Sequence, residues 1–216
     1  SGCLHRFETH CYRYAFVAWW CRSPDDAAPY PHFAGARFDW RCYRYCSVVE
    51  WCSRAYSMHD EKRIPLFLLN NMLGGPGMNN RLNVSLREKH GLVYNVESNL
   101  TSYTDTGTFC IYFGCDPADL DYCTRLVYKE LKRLRDVRMT SSQLAAAKKQ
   151  LIGQIGVASD NNENNALGMG KTFLHYNKCE TSEAVFHRIE QLTSEALLEV
   201  ANEMFAEDYL STLIYR

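Results

Sequence analysis

Residues 86–113 read LREKHGLVYNVESNLTSYTDTGTFCIYF, and the fold follows from how this stretch is punctuated. Leu82 and Leu86 lie one helical turn apart and close a short helix, which Gly91 breaks. After the glycine, Leu92, Tyr94 and Val96 alternate with Val93, Asn95 and Glu97 at the period of two that marks a half-buried strand. Residues 101–107 are rich in turn formers. The run Thr108-Phe109-Cys110-Ile111-Tyr112-Phe113 then supplies a second strand of aromatic and β-branched residues. Two such runs across a short turn predict an antiparallel hairpin.

Upstream of the hairpin, Asp60 is placed to cap a helix with Pro65 in its first turns. Ile64, Leu66, Leu68, Leu69 and Leu73 give that helix a broad apolar face, and Gly74-Gly75-Pro76-Gly77 ends it. Downstream, Asp116-Pro117 reads as a cap followed by proline at the first helical position, and Leu120, Cys123, Val127, Leu131 and Leu134 mark one face of the resulting helix. Thr140 and Gln143 form a capping box before a helix carrying Leu144, Ala147, Leu151 and Ile155. Three further helical stretches follow near 163–175, 182–192 and 194–205, the last capped by Thr193, and a strand is expected from Leu210 to Tyr215. Strands at both ends of a helix-rich middle give an α+β class, an antiparallel sheet covered on one face by helices.

Composition narrows the function classes. The 216 residues carry 24 Lys+Arg against 25 Asp+Glu, which leaves no basic footprint for nucleic acid or an anionic membrane surface. The longest apolar run, Tyr14 to Cys21, is under half of the roughly 20 residues a membrane-spanning helix needs, so neither a span nor a secretory leader is expected. Nothing argues for an oxidising compartment, and a cytoplasmic location is the expectation. The average hides an anomaly, because residues 1–52 hold 6 of the 10 Cys, all 4 Trp and 13 of the 28 aromatics, but no Lys, Ile, Asn or Met. Those four residue types share codons beginning AA or AT. We therefore read residues 1–52 as an anomalous segment without an assigned fold, out of frame or foreign, and residues 53–216 as the genuine domain.

Several motifs invite chemistry. Cys42, Cys46 and Cys52 with His59 suggest a metal site, but two pairs at zinc-finger spacing are lacking, and no metal ligand is assigned in this chain. Cys110, Cys115, Cys123 and Cys179 fall within apolar periodic patterns and read as small hydrophobes. Gly168-Met169-Gly170-Lys171-Thr172 resembles the end of a phosphate loop. However, Asn165 stands where that loop needs its first glycine, and the segment reads as a helix with small residues for close packing. Gly74, Gly75 and Gly77 around Pro76 would let a backbone approach, or would simply connect two helices. Arg87 near a helix end and Tyr94 just past Gly91 are hydrogen-bond donors at neutral pH, suited to holding a peptide carbonyl or a developing oxyanion. As bare residues they read as a surface charge and a half-buried core tyrosine.

Taken together, residues 68–82, then 86–94, then Tyr103-Thr104-Asp105-Thr106-Gly107, closely resemble the C-terminal half of the pitrilysin or insulinase family of zinc peptidases, particularly the processing-peptidase-like branch. The likeness continues through 145–153 and 189–193, and covers about 53–216. It implies one noncatalytic half of a two-part clamshell that closes on unfolded peptides. Zinc would sit in a partner half carrying H-x-x-E-H, a motif this sequence lacks, so the chain is expected to be inactive alone. The resemblance assigns Arg87 to substrate orientation and Tyr94, seven residues later, to oxyanion stabilisation. It assigns Gly74, Gly75 and Gly77 to a glycine-rich loop that handles substrate. The alternative it leaves open is a non-enzymatic structural or interaction subunit with the same fold. It further implies that with residues 1–52 set aside, the first strand of this half is missing.

Overall fold

A computed structural model describes residues 47–178 and 181–215. Its sheet has four antiparallel strands in the order β2-β3-β1-β4: β1 Ser47–Ala55, β2 Val93–Ser102, β3 Gly107–Cys115 and β4 Ser211–Tyr215. Between β1 and β2 lie helix α1, Arg63–Gly74, and a π-helix, Asn83–Glu88. After β3 come α2 Leu120–Asp136, α3 Ser141–Ser159, α4 Asn162–Tyr176, α5 Ser182–Glu190 and α6 Ser194–Met204. This is the expected α+β class.

The first strand is present and central. Its register runs from Ser47 opposite Cys115 to Ala55 opposite Gly107 on one side, and from Val48 opposite Tyr215 to Cys52 opposite Ser211 on the other. The domain therefore starts by Ser47 rather than Ser53, and the expectation of a missing strand is overturned. The physical reason lies in burial. Ser47 to Ser53 are all buried, so the strand shows no polar and apolar alternation by which it could be recognised. Residues 1–46 lie outside the described residues.

Strand alternation sorts the side chains into two sets. Val49 and Trp51 of β1 with Phe109, Ile111 and Phe113 of β3 belong to the main core, with Leu66, Leu69 and Leu73 of α1, Val127, Leu131 and Leu134 of α2, and Leu197 and Val200 of α6. Trp51 sits at the centre, its ring 5.3 Å from Phe113 and 5.7 Å from Tyr128. Cys52 and Cys110 form a separate buried pair on the other face. The described helices thus cover one side of the sheet.

Helix ends follow local chemistry, with two shifts from expectation. Thr140 Oγ1 accepts from Gln143 N at 3.3 Å while Gln143 Oε1 accepts from Thr140 N at 3.1 Å, the anticipated capping box. Asp60 bonds Lys62 N at 2.8 Å and α1 begins one residue further on. Lys62 then pairs with Glu199 and Glu203, fastening the start of α1 to α6. Asp116 likewise closes a turn through Ala118 N at 2.9 Å, so α2 starts at Leu120 rather than beside Pro117. Gly168 and Gly170 are helical as expected, but among the described residues an added Cβ at either would meet nothing within 4 Å, so no close packing against them is seen there. Among the described residues no helix is long and apolar enough to cross a membrane.

Candidate functional site

The π-helix carries Arg87 on its last turn and ends in a widened closure. Gly91 N donates to Arg87 O at 2.9 Å and Leu92 N to Leu86 O at 3.0 Å, each spanning one residue more than the usual paired bonds at a helix C-terminus. Gly91 takes φ +64°, the left-handed conformation that glycine adopts without a Cβ penalty. The chain then enters β2, an outer strand, through a bulge. Val93 faces Cys115 and Val96 faces Phe113, so Tyr94 and Asn95 share the single position opposite Gly114.

That bulge corrects the sequence reading of this strand. Simple alternation puts Tyr94 on the same face as Val96, whereas the structure buries Val93 and Val96 and leaves Tyr94 80% exposed. Arg87 is half-buried. A helix end and a strand start seven residues apart thus present a guanidinium and a phenol, both reachable from solvent.

The glycine cluster resolves into distinct parts. A Cβ on Gly74 would stand 2.6 Å from Ser98 N, and one on Gly75 2.5 Å from Asn71 Oδ1, so these two buried glycines permit α1 to pass close to β2 and to its own last turn. Gly77 is exposed, with φ +135°. The loop's carbonyls are already engaged. Asn80 Nδ2 donates to Gly75 O at 2.9 Å and Gly77 O at 2.7 Å, and Gln154 Nε2 donates to Pro76 O at 2.9 Å. Asn79 and Gln150 exchange amide bonds beside them. Asn80 also accepts from Asn83 N at 2.8 Å, which starts the π-helix, so one buried amide holds both the loop and the element bearing Arg87. Replacing Asn80 with alanine is expected to cost about 2 kcal/mol, measurable as a lower urea midpoint, because it strands Asn83 N and Gly75 O without partners.

Of the candidate metal ligands, Cys52 and His59 lie among the described residues. Cys42 and Cys46 fall outside the described residues, and His59 packs edge-on against Tyr176 with ring centroids 5.3 Å apart. Cys52 instead meets Cys110, its thiol donating to the other sulfur at 3.3 Å, with Glu50 close enough that all three ligand-type atoms lie within 4.8 Å. The hydrogen bond to Cys110, then burial, push the Cys52 thiol far above its ordinary range, so this thiol stays protonated. Burial likewise pushes Cys115 up to about 12 and raises Cys123, in keeping with small hydrophobic roles. Two thiols and a carboxylate are not the histidine and glutamate set of a zinc peptidase centre.

Residues 46–151 match the family described as peptidase M16 inactive domain. An uncharacterized zinc protease of Bacillus subtilis, YmxG, is 30% identical over 154 residues, 71% of this chain and 37% of that protein. The matched stretch carries the inactive-domain pattern of the M16 peptidases. An uncharacterized zinc protease of Rickettsia felis is 29% identical over 65% of this chain and 34% of its own length. The chain spans about a third of the length of the curated relatives it matches. Among solved structures, a peptidase M16 inactive domain from Pseudomonas fluorescens superposes with TM-score 0.67 at 24% identity, covering 79% of this chain and 40% of that one. A protease from Helicobacter pylori gives 0.69 at 19% identity, over 79% and 41%. These two show the shared fold. Relatives of the M16 domain are named zinc proteases, and the ligands for that zinc are not assigned to this chain.

Two features of the M16 domain were not legible from spacing. The bulge that turns Tyr94 outward appears only in the pairing register. Asn80 and His90 act on backbone carbonyls, and no sequence pattern marks a side chain for that role.

Proposed function

We propose that this domain is the substrate-binding, noncatalytic half of a zinc metalloendopeptidase acting on unfolded peptides. It completes the cleft for a separate zinc-bearing half. The observation that supports this reading is the exposed Tyr94 on its bulge, seven residues after the half-buried Arg87 at the end of the π-helix. Arg87 is a permanent cation with a planar fork of donors, able to hold the carbonyl of an extended peptide. Tyr94 offers one hydroxyl donor where charge develops on the scissile carbonyl oxygen. Neither group generates a nucleophile, so the attacking water and the metal that activates it belong to the partner half.

The reading predicts an activity that neither half has alone. The chain mixed with a zinc-bearing M16 half carrying H-x-x-E-H should cleave an unstructured fluorogenic peptide, and Arg87→Ala should raise KM severalfold. A complex that forms without cleaving would instead support the structural subunit.

A further inference from the structure

We propose that His90 positions Arg87 by closing the open end of the π-helix with its imidazole. The inference rests on the reading of Arg87 and Tyr94 above and extends it to a residue with no assigned role.

The carbonyls in the last turn of a helix lack partners within it. Here Val84 O accepts from Lys89 N at 3.1 Å, Leu86 O from Leu92 N at 3.0 Å and Arg87 O from Gly91 N at 2.9 Å. Ser85 O is met by a side chain, His90 Nδ1 at 2.6 Å. A carbonyl can only accept, so Nδ1 bears the proton and the ring acts as a neutral or charged donor alike. A second contact fixes the ring. His90 stands edge-on to Tyr122 of α2, with centroids 5.5 Å apart and planes at 86°, and Arg125 lies 5.7 Å from the Tyr122 centroid. The imidazole therefore ties the buried Ser85 to α2 across the turn whose next residues are Leu86 and Arg87. Without it Ser85 O is orphaned, and the turn that aims the guanidinium and leads to Tyr94 loses one of its four closing bonds. His90 is a positioning residue and does not touch substrate.

The test is a double-mutant cycle in the domain joined to a zinc-bearing half. His90→Phe keeps a ring against Tyr122 but removes the N–H, and is expected to lower kcat/KM roughly tenfold to a hundredfold, the scale of a misplaced orienting group. Combined with Arg87→Ala it should cost nothing beyond Arg87→Ala alone, because the ring acts through the guanidinium. His90→Asn, which restores a donor, should recover most of the loss. The proposal is overturned if His90→Phe is silent, or if it costs the same factor with and without Arg87, as general destabilisation would. If Arg87→Ala alone leaves cleavage intact, the reading of the site fails first and the positioning role falls with it.

Discussion

Tyr94→Phe is expected to cut the turnover of the joined halves by about a hundredfold to a thousandfold while leaving KM nearly unchanged, the signature of a donor used only in the transition state. The substitution removes one oxygen from a side chain that is 80% exposed, so the fold should not register it. Surface changes of this kind usually fall within about 0.5 kcal/mol in stability. The contrast between a large kinetic effect and an absent thermodynamic one makes the experiment decisive. Kinetics on an unstructured peptide, run beside urea denaturation of the isolated variant, measure both. Turnover equal to that of the parent would remove Tyr94 from the chemistry. A raised KM with unchanged kcat would demote it to ordinary substrate binding.

How far the sequence carried this reading depended on where each signal resides. The helices were legible because their apolar faces repeat at 3.6 residues and their caps are local, as with Leu120, Cys123, Val127, Leu131 and Leu134 or the Thr140 capping box. The hairpin of β2 and β3 was legible from strand-forming runs across a turn. The bulge was not, because one inserted residue changes a pairing and not a composition, and simple alternation alone aligns Tyr94 with Val96. The glycine cluster was visible, yet its sequence could not distinguish Gly74 and Gly75, which make room for Ser98 and Asn71, from the exposed Gly77. β1 was the largest omission. A strand with two bonded neighbours and burial on both faces loses the alternation that identifies it, and Val48, Val49 and Trp51 were absorbed into an unusual amino-terminal composition.

That omitted strand carries the largest expected stability effect. Trp51 is fully buried on the central strand, flanked by Phe113 and Tyr128 and in one continuous core with α1, α2 and α6. Trp51→Ala removes a bicyclic side chain from a position packed against Phe113 of β3 and Tyr128 of α2. The expected cost is about 3–5 kcal/mol, a large fraction of the 5–15 kcal/mol typical of whole domains. Trp51→Phe separates packing from polarity. Among the described residues the buried indole Nε1 has no hydrogen-bond partner, so phenylalanine sheds an unsatisfied donor while keeping most of the ring volume. Its cost should therefore be well under half that of alanine. Urea midpoints for the two variants measure this difference directly. If Trp51→Ala melted with the parent, β1 would not be a working part of the sheet, and the domain would have to be stable without the strand between β3 and β4.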